Sequence, residues 1–202
     1  VTINEDIDGD GVLDTYTLES TPNDVDYTLP QFEAEYHGEM GMISYSLGGL
    51  YHSFEINDED VNAWALAAGA KVTGGAFYGA ANLIYGENIG STGVWMDTAE
   101  GAAWDNSKNE VIDDESFGGI ILLGYDMGTV GLEAGYGMIA SEYDVGGAEE
   151  DDESVVYLQA AIDVADGFFI VPEIGQYDYK DDREGNDEGK MTYFGLKWQM
   201  NF

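Results

Sequence analysis

The chain has 202 residues, a formal charge of −35, no cysteine, 28 glycines, 14 tyrosines and only 3 prolines, and 44% of its residues are apolar. That balance excludes nucleic acid and anionic membrane surfaces as partners, since both repel a polyanion. It favours cations and a saline medium, and the apolar share excludes disorder caused by low hydrophobicity.

The length fits one domain. The longest stretches without Asp, Glu, Lys or Arg, residues 40–54 and 72–86, are too short and too rich in Gly, Ser, Ala and Tyr for a spanning helix, which needs about 20 apolar residues. If the chain crosses a membrane, it must do so as a closed β-barrel, which satisfies its own backbone hydrogen bonds in lipid. No signal peptide precedes Val1, so a mature, processed or fragmentary chain is expected.

Residues 1–30 are acidic and turn-rich, and we expect an external loop there, with a tenth strand of the sheet over Asp14–Ser20 as the alternative. The sharpest local motif lies inside it: Asp6-Ile7-Asp8-Gly9-Asp10-Gly11-Val12-Leu13-Asp14. Carboxylates of Asp6, Asp8, Asp10 and Asp14 at this spacing can wrap oxygens around Ca²⁺. The run resembles the D-x-D-x-D-G-x-x-D loops of thrombospondin type 3 and dockerin-like calcium sites. It departs from an EF-hand, because Thr17 stands where a bidentate Glu would be. A structural Ca²⁺ site is one expectation; a solvated acidic loop is the other.

Beyond residue 30 the sequence reads as strands in pairs. Residues 31–37 and 42–54 flank Gly38-Glu39-Met40-Gly41; 61–72 and 76–86 flank Thr73-Gly74-Gly75; 117–125 and 130–141 flank Asp126-Met127-Gly128-Thr129; 155–164 and 168–177 flank Ala165-Asp166-Gly167. Residues 190–202 form a ninth strand. Glycine in each turn supplies φ > 0. Most carboxylates fall in five blocks, residues 1–28, 55–60, 87–116, 142–153 and 178–188, so short glycine turns alternate with acidic loops. In an up-and-down sheet this puts tight turns at one end and acidic loops at the other.

The strands alternate with period 2. Val130, Leu132, Ala134, Tyr136 and Met138 oppose Gly131, Glu133, Gly135 and Gly137, and Val156, Leu158, Ala160, Ile162 and Val164 oppose Tyr157, Gln159 and Asp163. The polar face collects Glu33, Glu35, His37, Lys71, Tyr78, Asn82, Glu133, Asp163, Glu173 and Lys197. Several segments reach 10–13 residues; about 9–11 tilted residues span a bilayer, and soluble strands usually have about 5–6. Tyr36, Trp64, Phe77, Tyr85, Tyr125, Phe168 and Trp198 stand near strand ends, as interfacial aromatics do.

The final strand carries the most specific pattern. Phe194, Leu196, Trp198, Met200 and Phe202 share one face, opposite Tyr193, Gly195, Lys197, Gln199 and Asn201, and the strand ends on Phe202. An exposed apolar strand at a chain end invites edge pairing, so soluble proteins avoid it. This terminus resembles that of Gram-negative outer-membrane β-barrel porins. The resemblance implies an all-β, transmembrane antiparallel up-and-down β-barrel with about nine or ten strands in this chain, one reading being the C-terminal half of a barrel of roughly 16–18. It implies passive diffusion of ions and small hydrophilic solutes, outer-membrane lipid and lipopolysaccharide as surroundings, and a homo-trimer.

On this reading the ten polar-face residues line the pore. Their acidic balance implies cation preference, and no enzyme activity is expected. Only His37 and His52 could serve a Ser-His-Asp set, and neither has a Ser–acid neighbourhood in the sequence. The competing reading is a secreted, soluble calcium-binding β-sandwich, an adhesin or binding module of a halophilic or marine organism, whose apolar faces would form a core.

Overall fold

The computed structural model describes residues 2–5, 14–19, 24–27, 29–94 and 98–201, with backbone only for 2–5 and 14–19. The expected calcium ligands Asp6, Asp8 and Asp10 lie outside the described residues, as does Phe202. Asp14 opens a strand, and its side chain is not described.

Nine long antiparallel strands follow one another in chain order: β4 (Phe32–Met40), β5 (Ile43–Ile56), β6 (Glu59–Gly74), β7 (Phe77–Glu87), β10 (Asp114–Asp126), β11 (Val130–Tyr143), β12 (Asp151–Ala165), β13 (Phe168–Asp178) and β14 (Lys190–Met200). Each pairs with its neighbours in the sequence of long strands. The short β3 (Val25–Asp26) continues the line of β4 along β5 and completes a ten-stranded sheet. Among the described residues β4 and β14 do not pair with each other, so the barrel is not closed. No helix among these residues is long and apolar enough to cross a membrane.

A separate four-stranded sheet joins β1 (Thr2–Glu5), β2 (Asp14–Glu19), β8 (Ala103–Asp105) and β9 (Glu110–Ile112). A strand does form at Asp14–Glu19, but not as the tenth barrel strand of the alternative reading: β2 pairs with β1 and β8 and adds nothing to the large sheet.

The long strands outrun their expected ends. Between β4 and β5 the ladder continues to Met40↔Ile43, leaving Gly41-Met42 as the turn, with Gly41 at φ 63°. The larger difference lies at 55–60, expected as an acidic loop. There β5 and β6 pair through Ile56↔Glu59 around Asn57-Asp58, both at positive φ (50° and 68°). That is the two-residue hairpin geometry Asn and Asp tolerate best after glycine. The carboxylates of the block decorate a tight turn.

Register sorts the side chains into two faces. Phe194, Leu196, Trp198 and Met200 lie opposite Tyr193, Gly195, Lys197 and Gln199, and are 85%, 67%, 70% and 49% exposed. Leu47, Leu66, Leu83, Ile121, Leu132, Val156 and Leu158 are likewise exposed on that apolar face. Phe77 and Tyr125 pair at one end of it (ring centroids 4.4 Å apart) and Trp64 and Tyr85 toward the other (5.5 Å). Phe77 and Tyr85 are separated by about 27 Å of strand, close to the ~25 Å apolar band of membrane barrels. On β10 the belt runs from Phe117 to Tyr125. The strands continue past it toward the loop end.

Among the described residues no second sheet covers this face, and the sandwich core required by the soluble reading does not form there. The buried apolar clusters sit instead on the opposite face, at the loop end: Phe54, Ile56, Val61 and Ala63 with Ala102 and Trp104, and Tyr143 with Ala103 and Ile112.

Candidate functional site

All ten of the polar residues singled out above fall on the face away from the exposed apolar belt. Cross-strand register fixes this: His37 pairs with Ser46, which pairs with Gly69, which pairs with Asn82; Glu133 pairs with Gln159, which pairs with Glu173. Each of these links preserves the face on which a side chain stands.

The best-connected parts of this face are two side-chain hydrogen-bonded groups, one across β7, β11 and β12 and one across β13 and β14. Glu133 accepts from the Tyr78 hydroxyl (2.7 Å), the Tyr157 hydroxyl (2.9 Å) and Gln159 Nε2 (2.7 Å). Lys71 Nζ lies 4.8 Å from the Tyr78 ring centroid, a cation–π contact beside the carboxylate. Glu173 accepts from the Tyr193 hydroxyl at 2.7 Å.

Glycine makes these geometries possible. Tyr78 and Tyr157 lie flat over their cross-strand partners Gly124 and Gly135, where an added Cβ would come within 2.0 Å and 2.3 Å of the rings. The tyrosines thus cover bare backbone while their hydroxyls both donate to the Glu133 carboxylate, one to each oxygen.

The other expected residues are less connected. His37 Nε2 stands 3.2 Å from Glu35, both well exposed. His37, Lys71 and Asn82 line one cavity of about 280 Å³ with Ser44 and Ser46. Glu33, Glu35 and Asn82 border a second of about 500 Å³, with Leu50, Ile84 and Val94. Asp163 and Lys197 lie toward the turn end, Lys197 Nζ 5.6 Å from the Phe169 ring. His52 stands far up the same face from His37, stacked on Tyr27 at 5.6 Å, so the two histidines do not meet.

At the loop end the face is covered. The connection from β7 to β10 starts with a 3₁₀ turn, Ile89–Thr92, and is pinned at both ends by Asn88. The Asn88 amide donates to Asn62 O (2.9 Å) and Asp113 Oδ1 (2.7 Å), and its oxygen accepts from Asp114 N (2.9 Å). Within the connection β8 and β9 form a hairpin. Ala102 and Trp104 pack on Phe54, Val61 and Ala63 of the β5–β6 wall. On the far side, Thr98 O accepts from Ser141 Oγ of β11 at 2.6 Å.

The β13–β14 connection contributes Arg183, which is 5% exposed. Its Nη2 donates to Ser141 Oγ (2.6 Å), Asp114 Oδ2 (3.1 Å) and Thr98 O (3.1 Å), its Nε reaches Asp151 Oδ2 (3.4 Å), and the guanidinium lies 4.3 Å over the Tyr143 ring. Burial pushes the Asp114 carboxyl up to about 6, against the pull of Ser116 and Arg183, and pushes Asp151 up as well. These groups lie above the apolar belt.

Sequence reasoning missed this cluster. One signal was present: Arg183 is the sole arginine of a chain with 41 carboxylates.

No family model and no curated protein matches the chain. Among solved structures, the outer membrane channel DcaP of Acinetobacter baumannii is similar, with a TM-score of 0.67 at 15% identity, over 91% of this chain and 57% of that one. This chain therefore spans a little over half of that channel's length. At such identity the likeness speaks for the fold: the chain is built on an antiparallel sheet of the outer-membrane-channel type.

Proposed function

We propose that this chain forms channel wall in an outer membrane, with the polar face turned to an aqueous path for ions and small hydrophilic solutes. One observation carries the reading: among the described residues a single-layer sheet exposes an apolar face, while its other face holds hydrogen-bonded polar groups and is covered at the loop end. An uncovered apolar face of this size needs lipid or a partner, and the aromatic pairs at its two levels match the interfaces of a bilayer. The similarity to an outer membrane channel supports the same reading.

The path prefers cations. Glu33, Glu35, Glu133, Asp163 and Glu173 face Lys71, Lys197 and His37 on the polar face, and fixed charges lining a path select the opposite sign. The acidic connections at the loop end suit divalent cations that bridge lipopolysaccharide, and trimeric assembly is part of the same proposal.

The test has two stages. The protein should extract only in detergent and migrate differently on a gel before and after heating; solubility in plain buffer would end the membrane reading. Reconstituted in a planar bilayer under a KCl gradient, it should give a reversal potential on the K⁺ side. A Cl⁻-directed potential would overturn the assignment of the polar-face carboxylates.

A further inference from the structure

We propose that Arg183 is the positioning residue of the channel mouth, tying the β13–β14 connection and the β7–β10 connection to the wall and so setting how far the path stays open. The inference rests on the reading of the polar face as a solute path.

The covering connection is held at two sites of different character. On the β5–β6 side the hold is apolar, Ala102 and Trp104 against Phe54, Val61 and Ala63. On the β10–β12 side it is polar and centred on one guanidinium. Arg183 gathers Asp114 of β10, Ser141 of β11 and Asp151 of β12, all wall residues, with the Thr98 carbonyl of the connection. Ser141 Oγ donates to the same carbonyl, so wall, connection and arginine close a three-membered ring of contacts. The Arg183 carbonyl accepts from Glu149 N (3.2 Å), which brings in the β11–β12 connection.

A planar fork with several donors can serve partners on four segments at once; a lysine ammonium on its flexible stem cannot hold the same geometry. Buried ion pairs contribute little net stability, because desolvation offsets attraction. What they fix is geometry. A sole arginine, buried in a strongly acidic chain where three connections meet, is placed to orient them.

The test uses the full chain, folded in detergent and in bilayers, as wild type, Arg183→Met, Arg183→Lys and Ser141→Ala. Hydrogen exchange reads the connection directly. Arg183→Met should speed amide exchange across residues 98–112 about tenfold or more while the strands β5, β6, β11 and β12 keep their protection. Single-channel current should become noisier and rise about twofold. K⁺ preference should rise too, since Asp114 and Asp151 lose their counter-charge. Arg183→Lys should keep the wild-type ion preference and still show faster exchange. Ser141→Ala, which leaves no buried charge unpaired, should give a smaller rise in exchange and current with wild-type ion preference, and replaces Arg183→Met if that variant does not fold.

Wild-type exchange, current and selectivity in Arg183→Lys together with Arg183→Met, or in Ser141→Ala where Arg183→Met does not fold, would overturn the assignment. Wild-type protein that folds yet passes no current would overturn the solute path, and exchange would still judge Arg183 separately.

Discussion

The loop end and the belt of this sheet are held by different physics. At the loop end, side chains meet side chains: Phe54, Val61, Ala63 and Trp104 are packed out of water, and Arg183 is enclosed by carboxylates, a hydroxyl and a carbonyl. In the belt Leu83, Ile121, Leu132 and Leu158 stay exposed among the described residues. The same strands therefore pass from a protein-like core to a bare apolar surface within one β-ladder.

The largest expected effect tests the packed end. Trp104→Ala should cost the loop-end cover about 3–5 kcal/mol, the usual range for a buried aromatic truncated to alanine. Because the cover rests on the sheet and the sheet's ladders do not depend on it, the loss should appear as local opening. Exchange should rise over residues 98–112, and the heat-modifiable gel shift should persist. Loss of that shift would mean the cover and the sheet fold as one unit.

The belt answers to a different substitution. Ile121 is 55% exposed in the bare chain, and exposed positions of a soluble protein usually tolerate change within ~0.5 kcal/mol. If the belt faces lipid as proposed, Ile121→Arg near its middle should instead cost about 2–4 kcal/mol. Urea titration of folding into lipid vesicles measures it. A near-zero cost would remove the belt from the membrane and end the contrast between the two regions.

The legibility of the sequence follows the same division. Alternation in β11, β12 and β14 displayed both faces, because a single-layer sheet keeps period 2 along nearly the whole of each strand, the register of β12 shifting near its turn end between Asp163 and Ala165. The polar-face set from Glu33 to Lys197 was therefore readable. The turn at Asn57-Asp58 was not, since a run of acids looks the same in a long loop as in a two-residue hairpin. The network around Arg183 was also hidden. It joins Thr98, Asp114, Ser141, Asp151 and Arg183 across segments far apart in the chain, and no local period marks contacts made through connections. The belt around Glu133 falls between these cases: its residues were visible, while the cross-strand pairing that brings Tyr78, Tyr157 and Gln159 to one carboxylate was not.

The smallest effect concerns pH and bears on the packed end alone. In the covered state burial holds the Asp114 carboxyl up at about 6, with Glu100 adding to the rise and Ser116 and Arg183 opposing it. Asp151 is raised by burial too, and Tyr143, pushed up to about 12, stays protonated throughout this range. If the cover opens, water returns Asp114 toward its ordinary value of 3.8. Between these values the covered state binds more protons than the open one. By linkage the covered state gains stability as pH falls from about 6 toward 3.8, and that gain is lost again as pH rises back through about 6, above which neither state binds the proton. Acid should therefore tighten the mouth, the opposite of what protonating a salt bridge first suggests, because relief of a buried charge outweighs the weakened pairing. Exchange over residues 98–112, corrected for its intrinsic pH dependence, should slow between pH 7.5 and pH 5, and channel noise should fall with it. Asp114→Asn should flatten most of that change and leave the smaller share carried by Asp151. Faster corrected exchange on acidification would show that pairing with Arg183 outweighs burial at this carboxylate.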